Sequence, residues 1–366
     1  MVSDTNYHRT PIISDLITYN WCLTPFLFTI YFRNMIQNHR RIESGRLLTF
    51  LVIGALGALS LAISIGSGQA GPMDVIDVLR GQAEPGIRDI LLNLRLPRAL
   101  AAFGTGASLA LAGVLMQVLL RNPLADPYIL GTSGGAAVAA LTAMLAGAAS
   151  LVIDVAAFGG ALGSTLLVFI VARYQGNWSP GRLLLTGVVI AAGWSAVISL
   201  ILATAPETNL RGILFWLMGD FAFAGNPGPT LIVAGLATAA GLALARSLNV
   251  LSVGDAQAAL LGLRVRPVRM SVYLLSALLT SIAVTTAGTV GFIGLVVPHL
   301  VRLASGSDHR TLIPGAALAG GTLLVIADLV ARTIIAPRQL PVGAITAIIG
   351  VPLFLFLLGR TATSED

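Results

Sequence analysis

Residues Arg95–Gly135 read RLPRALAAFGTGASLALAGVLMQVLLRNPLADPYILGTSGG, and this stretch decides the fold. Arg95 and Arg98 flank Leu96 and Pro97, and Ala99 to Leu120 then gives 22 residues without one charge. At a rise of ~1.5 Å per residue, a helix of that length crosses a hydrocarbon core of ~30 Å. The run is rich in small residues: Gly104, Gly106, Ala107, Ser108, Ala110, Ala112 and Gly113. Inside lipid, burying apolar surface gains nothing over lipid contact, so small residues mark places where helix backbones approach closely. Arg121-Asn122-Pro123 ends the helix, and Ala125-Asp126-Pro127 turns the chain before a second apolar run begins. The pattern predicts a bundle built around a passage, not a lone anchor.

The composition agrees. Of 366 residues, 56% are hydrophobic and 10% charged, with 40 glycines and a mean hydropathy of +0.87. A soluble domain carries about 25% charged residues, so the expected class is an all-α polytopic membrane protein. The net charge of +6 comes entirely from arginine, with 22 Arg and no Lys. Those arginines are scattered between apolar runs, which argues against a nucleic-acid partner. The single cysteine, Cys22, rules out an intrachain disulfide framework.

Residues 1–46 read as an amino-terminal cytoplasmic extension unlike the rest. Within it, Trp21–Phe32 is apolar but, at 12 residues, too short to span. It reads as an interfacial helix or as sequence upstream of a start at Met35, and no basic region precedes it as in a cleaved signal. From Leu47, ten spans are expected: 47–67, 96–120, 128–148, 150–172, 183–204, 229–246, 268–286, 288–304, 311–334 and 341–359. They make a permease domain over 47–360, followed by a cytoplasmic tail at 361–366. With the amino terminus inside, Arg40, Arg41, Arg46, Arg121, Arg173, Arg182, Arg246, Arg264, Arg266, Arg269, Arg302, Arg310 and Arg360 are cytoplasmic. Arg80, Arg88, Arg95, Arg98, Arg211, Arg332 and Arg338 are outside, so thirteen against seven places both termini in the cytoplasm.

Several chemistries are absent. A phosphate-binding loop of the GxxxxGK[ST] type needs a lysine that this chain lacks, so any work driven by ATP and Mg must come from another subunit. His8, His39, His299 and His309 never pair at metal-ligand spacing, and no catalytic constellation or bound cofactor is indicated. His299, after Pro298, reads as a helix–helix hydrogen-bonding residue rather than a haem ligand.

Three stretches outside the spans stand out. The loop 68–94 is amphipathic. Residues 205–228 contain a short helix from about Leu210 to Leu217, ended by Gly219. Residues 246–269 read as two short helices hinged at Gly254, with Asp255 favouring the helix dipole and Gly262 able to end the second. That segment is either an interfacial loop or a plug fitting a groove on a cytoplasmic partner.

The strings RLPR, ALAGVLMQ, RNPLADPYILG, GDAQAALLGL, GTVGFIGLVVPHLVRLASGSDHRTLIPGAALAGG, ADLVAR and LPVGAITAIIGVPLFLFLL occur in this order. Together they resemble the FecCD/BtuC-type permeases of type II ABC importers for vitamin B12, iron–siderophores and haem, over about 47–360. The resemblance implies a homodimer of ten-span subunits in the bacterial inner membrane. It also implies one passage on the two-fold axis, two cytoplasmic ABC ATPase subunits below, and a periplasmic or lipid-anchored substrate-binding protein outside. It puts the coupling helices on 252–263, with Gly254, Asp255, Ala256, Gln257, Gly262 and Leu263 at the ATPase, and the cytoplasmic gate at Asn122 and Leu124. The implied activity is alternating-access import of a metal chelate, most commonly an iron–siderophore, then haem, then cobalamin.

Arg95, Arg98 and Arg332 lie at span ends on the side where arginine is disfavoured. They either reach for lipid headgroups or, as the resemblance implies, pair with carboxylates of the docking protein. Asp328 and Arg332, four apart, can also pair with each other. Phe215, Trp216 and Met218 are candidates to line the outer mouth, or they pack at the interface. Met116 and Gln117 are candidates for the pathway or for helix packing. The alternative function is an ion-coupled secondary transporter, which calls for carboxylates or broken helices at the midplane. The acids near spans, Asp126, Asp154, Asp220 and Asp328, are expected toward span ends.

Overall fold

A computed structural model describes residues 43–66, 71–173, 179–222 and 224–362. Met35, Trp21–Phe32 and the tail from 363 lie outside the described residues. The helices are α1 (Ser44–Ser64), α2 (Pro72–Leu79), α3 (Pro85–Asp89), α4 (Leu96–Leu120), α5 (Thr132–Leu145), α6 (Ser150–Arg173) and α7 (Pro180–Thr204). They continue with α8 (Glu207–Met218), α9 (Gly228–Ser252), α10 (Asp255–Leu260), α11 (Val265–Ala287), α12 (Ile293–Ser305), α13 (His309–Thr333) and α14 (Val342–Ala362). A π-helical turn at Ile90–Arg95 joins α3 to α4 in one rod. The chain is an all-helical polytopic membrane protein. Among the described residues, seven helices are long and apolar enough to cross a membrane: α1, the α3–α4 rod, α6, α7, α9, α11 and α13. Three shorter apolar helices, α5, α12 and α14, complete the set.

The quoted stretch is the axle. In its most apolar window the α3–α4 rod is 89% buried, whereas α7 is 6% buried and faces outward. Helices α13, α11, α9 and α12 surround α4. Its small residues are what let them in. A Cβ on Gly106 would lie 2.2 Å from the Gly320 carbonyl oxygen, and one on Gly113 would lie 1.9 Å from that of Gly294. Backbones this close leave no room for any side chain, so α13 and α12 press directly on α4.

Two expected spans open with irregular backbone instead of helix. The span 128–148 begins as a 3-10 turn at Pro127–Leu130, and α5 starts only after Gly131, at φ 69°. The span 288–304 opens with five non-helical residues between Gly288 and Phe292, which have φ of 66° and 69°, before α12 begins. Hydropathy does not register these breaks, because the apolar composition runs through them. Irregular backbone among apolar helices must find partners inside the protein. Here Val290 N donates to Tyr128 Oη at 3.3 Å, Ser164 Oγ donates to Gly131 O at 2.8 Å, and Trp194 Nε1 donates to Ser164 Oγ at 2.7 Å. Pro127 and Gly294 bring the two breaks together: a Cβ on Gly294 would lie 2.7 Å from Pro127 Cδ.

The α4 contacts give a direct test. Gly106→Ala or Gly113→Ala should each cost about 1–3 kcal/mol through overpacking, read as a lower Tm of the purified protein. Gly54→Ala, where nothing lies within 4 Å of the added Cβ, should leave Tm unchanged.

Candidate functional site

The polar groups gather at the two ends of the bundle. The first end is where α1 starts and α4 finishes, and the second is where α1 finishes and α4 starts.

At the second end, Arg98 is central. Its Nε donates to Asp328 Oδ1 and Oδ2 at 3.0 and 3.1 Å, and Nη2 donates to Oδ1 at 2.8 Å. Nη1 donates to Gln339 Oε1 at 3.0 Å, and Asp220 Oδ1 stands 3.7 Å from Nη2. Arg332 lies 3.5 Å from Asp328 Oδ2, the expected i,i+4 pair, and also donates to Ala62 O. Arg95 Nη1 donates to Ile63 O and Ser64 O at 2.9 and 3.2 Å, satisfying carbonyls at the end of α1. Asp220 accepts from Ala222 N at 2.9 Å. Burial pushes its carboxyl above the usual range, with Ala222 N and Arg98 pulling the other way.

This network gives the three arginines expected at the docking surface partners within the chain. Arg95 and Arg332 are each only 5% exposed, and Arg98 is held by Asp328. A carboxylate arriving from outside would have to displace intrachain partners to reach them. The arginines exposed at this end are Arg80, Arg88, Arg211 and Arg338. What sequence reading missed was the partner set. Arg98 and Asp328 are 230 residues apart, and the only available signal was an aspartate within an apolar helix.

The expected short helix near Leu210–Leu217 is α8, ending at Gly219 with φ 80°. Its final carbonyls are clamped: Thr289 Oγ1 donates to Leu217 O, and Cβ atoms on Gly288 and Gly343 would meet Trp216 O and Met218 O at 2.0 and 2.2 Å. Phe215 and Trp216 are half-buried and line a cavity of about 290 Å³ with Met144, Asp154, Asp220 and Thr286. Met218 is exposed instead. The Arg211 guanidinium lies 5.7 Å from the centre of the Phe215 ring.

At the first end, α4 terminates with Arg121 at φ 50°, and Asn122 Oδ1 accepts from Leu124 N at 2.9 Å. Asn122 and Leu124 are both exposed. Met116 is fully enclosed, and Gln117 is braced, with Nε2 donating to Leu295 O at 3.2 Å and Oε1 accepting from Arg302 Nη2 at 2.9 Å. Both are packed between helices of this chain. His299 is half-buried, and its Nδ1 has no partner among the described residues, so the expected helix–helix bond is not made there. No cluster of three metal-ligating side chains occurs among the described residues.

The expected pair of short helices at 246–269 is a single one, because α9 continues unbroken to Ser252. Helix α10 is bracketed by Gly254 at φ 120° and Gly262 at φ 81°, a backbone that only glycine adopts freely. Ala258 is its one buried residue, while Ala256, Gln257 and Leu260 are exposed and Leu263 is half-buried. Asp255 accepts from Arg269, deep at the start of α11, and lies 3.9 Å from Arg121 Nη2. The exposed helix is thus tied by charge to the residue preceding the Asn122–Leu124 turn.

Residues 51–360 match the model of the FecCD transport family. The hemin transport system permease protein HmuU of Yersinia pestis is 40% identical over 332 residues, which is 87% of this chain and 98% of that protein. The Fe(3+) dicitrate transport system permease protein FecD of Escherichia coli is 40% identical over 278 residues, 74% of this chain and 85% of that one. Among solved structures, a metal-chelate type ABC transporter in an inward-facing conformation matches with a TM-score of 0.77 at 31% identity, covering 86% of this chain and 99% of that chain.

The Arg98–Asp328 pair is testable by breaking it on one side. Arg98→Ala leaves a buried carboxylate short of its main partner and should destabilise by about 3–5 kcal/mol. Asp328→Ala, which leaves both Arg98 and Arg332 without their shared carboxylate, should lower Tm further than Arg98→Ala, which leaves Asp328 with Arg332. Equal losses in the two variants would contradict this assignment.

Proposed function

The chain belongs to the FecCD transport family, and we propose that it is the ten-span permease subunit of an ATP-driven importer carrying an iron chelate or haem into the cell. It is the transport component and not the ATPase, since a chain without lysine has no phosphate-binding loop. The ten spans are α1, the α3–α4 rod, α5, α6, α7, α9, α11, α12, α13 and α14, with both termini cytoplasmic in a bacterial inner membrane. The first end is then cytoplasmic, in keeping with its larger share of arginines. Two copies face each other across a passage. An ATPase pair meets α10, and a substrate-binding protein settles on the second end.

The observation that carries this reading is the exposed, charge-tied α10 beside the Asn122–Leu124 turn, in a chain matched to the family almost end to end. Force on α10 reaches Arg121 through Asp255, so each ATPase state favours one width of the cytoplasmic gate. At the other end, α8 narrows the outer mouth with Trp216 and Met218. Docking falls to the exposed Arg80, Arg88, Arg211 and Arg338, with Arg95, Arg98 and Arg332 holding the surface beneath them in shape. An iron complex is favoured as cargo because HmuU and FecD, equally similar to this chain, are named for haem and ferric dicitrate. An ion-coupled carrier is less well supported, since the buried Asp328 is already held by Arg98 and Arg332.

The test is uptake into proteoliposomes holding the chain with its ATPase and binding protein, offered ferric siderophores, haem and cobalamin. Uptake should require ATP and favour an iron complex; uptake driven by an ion gradient without ATP would sink the proposal. Asp255→Ala should cut transport per ATP hydrolysed by roughly tenfold, within the usual range of coupling free energies.

A further inference from the structure

Helix α8 has open space along one face. It is clamped at its carboxyl end, yet Ile213 is the one buried residue of its twelve. Gly212, Phe215 and Trp216, at i, i+3 and i+4, share a face, and that face walls the cavity of about 290 Å³. A Cβ on Gly212 would meet nothing within 4 Å. Met144 of α5, Ile153 and Asp154 of α6, and Thr285 and Thr286 of α11 line the other sides. The volume is at the small end of ligand pockets. It has room for one ring and a short chain, not for a whole metal chelate of the kind proposed as cargo.

The polar chemistry of the cavity is one-sided. Two carboxylates line it, Asp154 and Asp220, and no cationic side chain does. Asp220 already accepts from Ala222 N at 2.9 Å and has Arg98 Nη2 at 3.7 Å. Asp154 makes no hydrogen bond or ion pair among the described residues. Arg211, on the same helix as Phe215, lies over that ring at 5.7 Å and is not part of the lining. The Thr285 and Thr286 hydroxyls donate back to Ser281 O and Ile282 O, each at 2.9 Å, so these oxygens are left as acceptors. Most of the remaining wall is apolar or aromatic: Met144, Ile153, Phe215 and Trp216. The complement of such a wall is a cation rich in donors on an apolar body. An apolar anion would meet like charge, and a neutral ligand would leave Asp154 without a partner.

We propose that this cavity binds a primary ammonium ion carrying an aryl or short alkyl group. The ammonium donates to Asp154, and the apolar part lies against Phe215 and Trp216. An occupant backs the face of α8 that the clamp leaves unsupported. Its effect on transport rests on the reading of α8 as the narrowing of the outer mouth: a propped α8 changes the width there more slowly, and uptake slows with it. Binding itself does not depend on that reading.

The test uses the purified full chain in detergent, with Tm followed against phenethylammonium chloride at constant ionic strength. A saturable rise is expected, with a midpoint about tenfold or more below that of 2-phenylethanol, which keeps the ring and lacks the charge. The anion 3-phenylpropanoate should give no rise. Asp154→Asn, at an exposed position, should weaken the amine to the level of the alcohol. Gly212→Leu, which fills the cavity from α8 with no clash at Cβ, should abolish the effect of both. No rise, equal midpoints for amine and alcohol, or a response to the amine unchanged in either variant would each overturn the proposal. Uptake is read separately in the proteoliposomes, where phenethylammonium should slow ATP-driven transport by the original chain and not by Gly212→Leu. Binding with uptake unchanged would uphold the site and contradict α8 as the outer narrowing.

Discussion

Direct backbone contact around α4 is the constraint on which the rest of the molecule depends. Helices in lipid gain little by hiding apolar side chains from their surroundings, so association rests on close fit and on bonded polar groups. Glycines at 106 and 113 give α4 two places where another backbone can touch it, Gly320 of α13 and Gly294 of α12. The second contact fixes where α12 begins, and therefore where the non-helical residues 288–292 lie. Those residues in turn hold the end of α8 on one side and the Tyr128 hydroxyl on the other. A change at Gly113 is thus transmitted to both irregular segments without touching either one.

Charge obeys a second rule. A buried arginine keeps its proton where a lysine would readily lose it, and this chain uses arginine for all its cationic side chains except histidine. At the second end Arg98, Arg332 and Asp328 form a buried set that is stable only as a set. At the first end the Asp255–Arg269 pair anchors α10, and Arg121 stands within reach of it. The second end is locked by short bonds, whereas the first has a long 3.9 Å contact and an arginine, Arg302, without a carboxylate. A rigid rim suits the docking of a partner, and the loosely paired end suits a part that has to move.

Much of this was legible in the sequence, for definite reasons. The α4 run is longer than any soluble core helix needs and its small residues are frequent, so both its crossing and its crowding could be read. Gly219 after an amphipathic stretch marked the end of α8. The breaks at 127–131 and 288–292 were not legible, because hydropathy reports composition and not φ, and Phe292 at φ 69° carries no sequence signal. The arginines at 95, 98 and 332 stood out in the sequence as charges at the ends of apolar runs. Their partners, however, come from α1, α13 and the turns at 220 and 339, which only the folded chain brings together. The continuation of α9 to Ser252 was hidden by Arg246, whose charge reads as a span end although the helix runs on past it.

In the proposed orientation α10 and the Asn122–Leu124 turn face the cytoplasm, while α2 and α8 face outward. The most direct measurement is thiol labelling with a membrane-impermeant reagent, in a Cys22→Ser background, of two variants at well-exposed positions, Leu79→Cys and Leu260→Cys (82% and 88% exposed). The account expects Leu79→Cys to react in spheroplasts and Leu260→Cys to react only after permeabilisation. Reaction of Leu260→Cys from the outside, with Leu79→Cys protected, would contradict it.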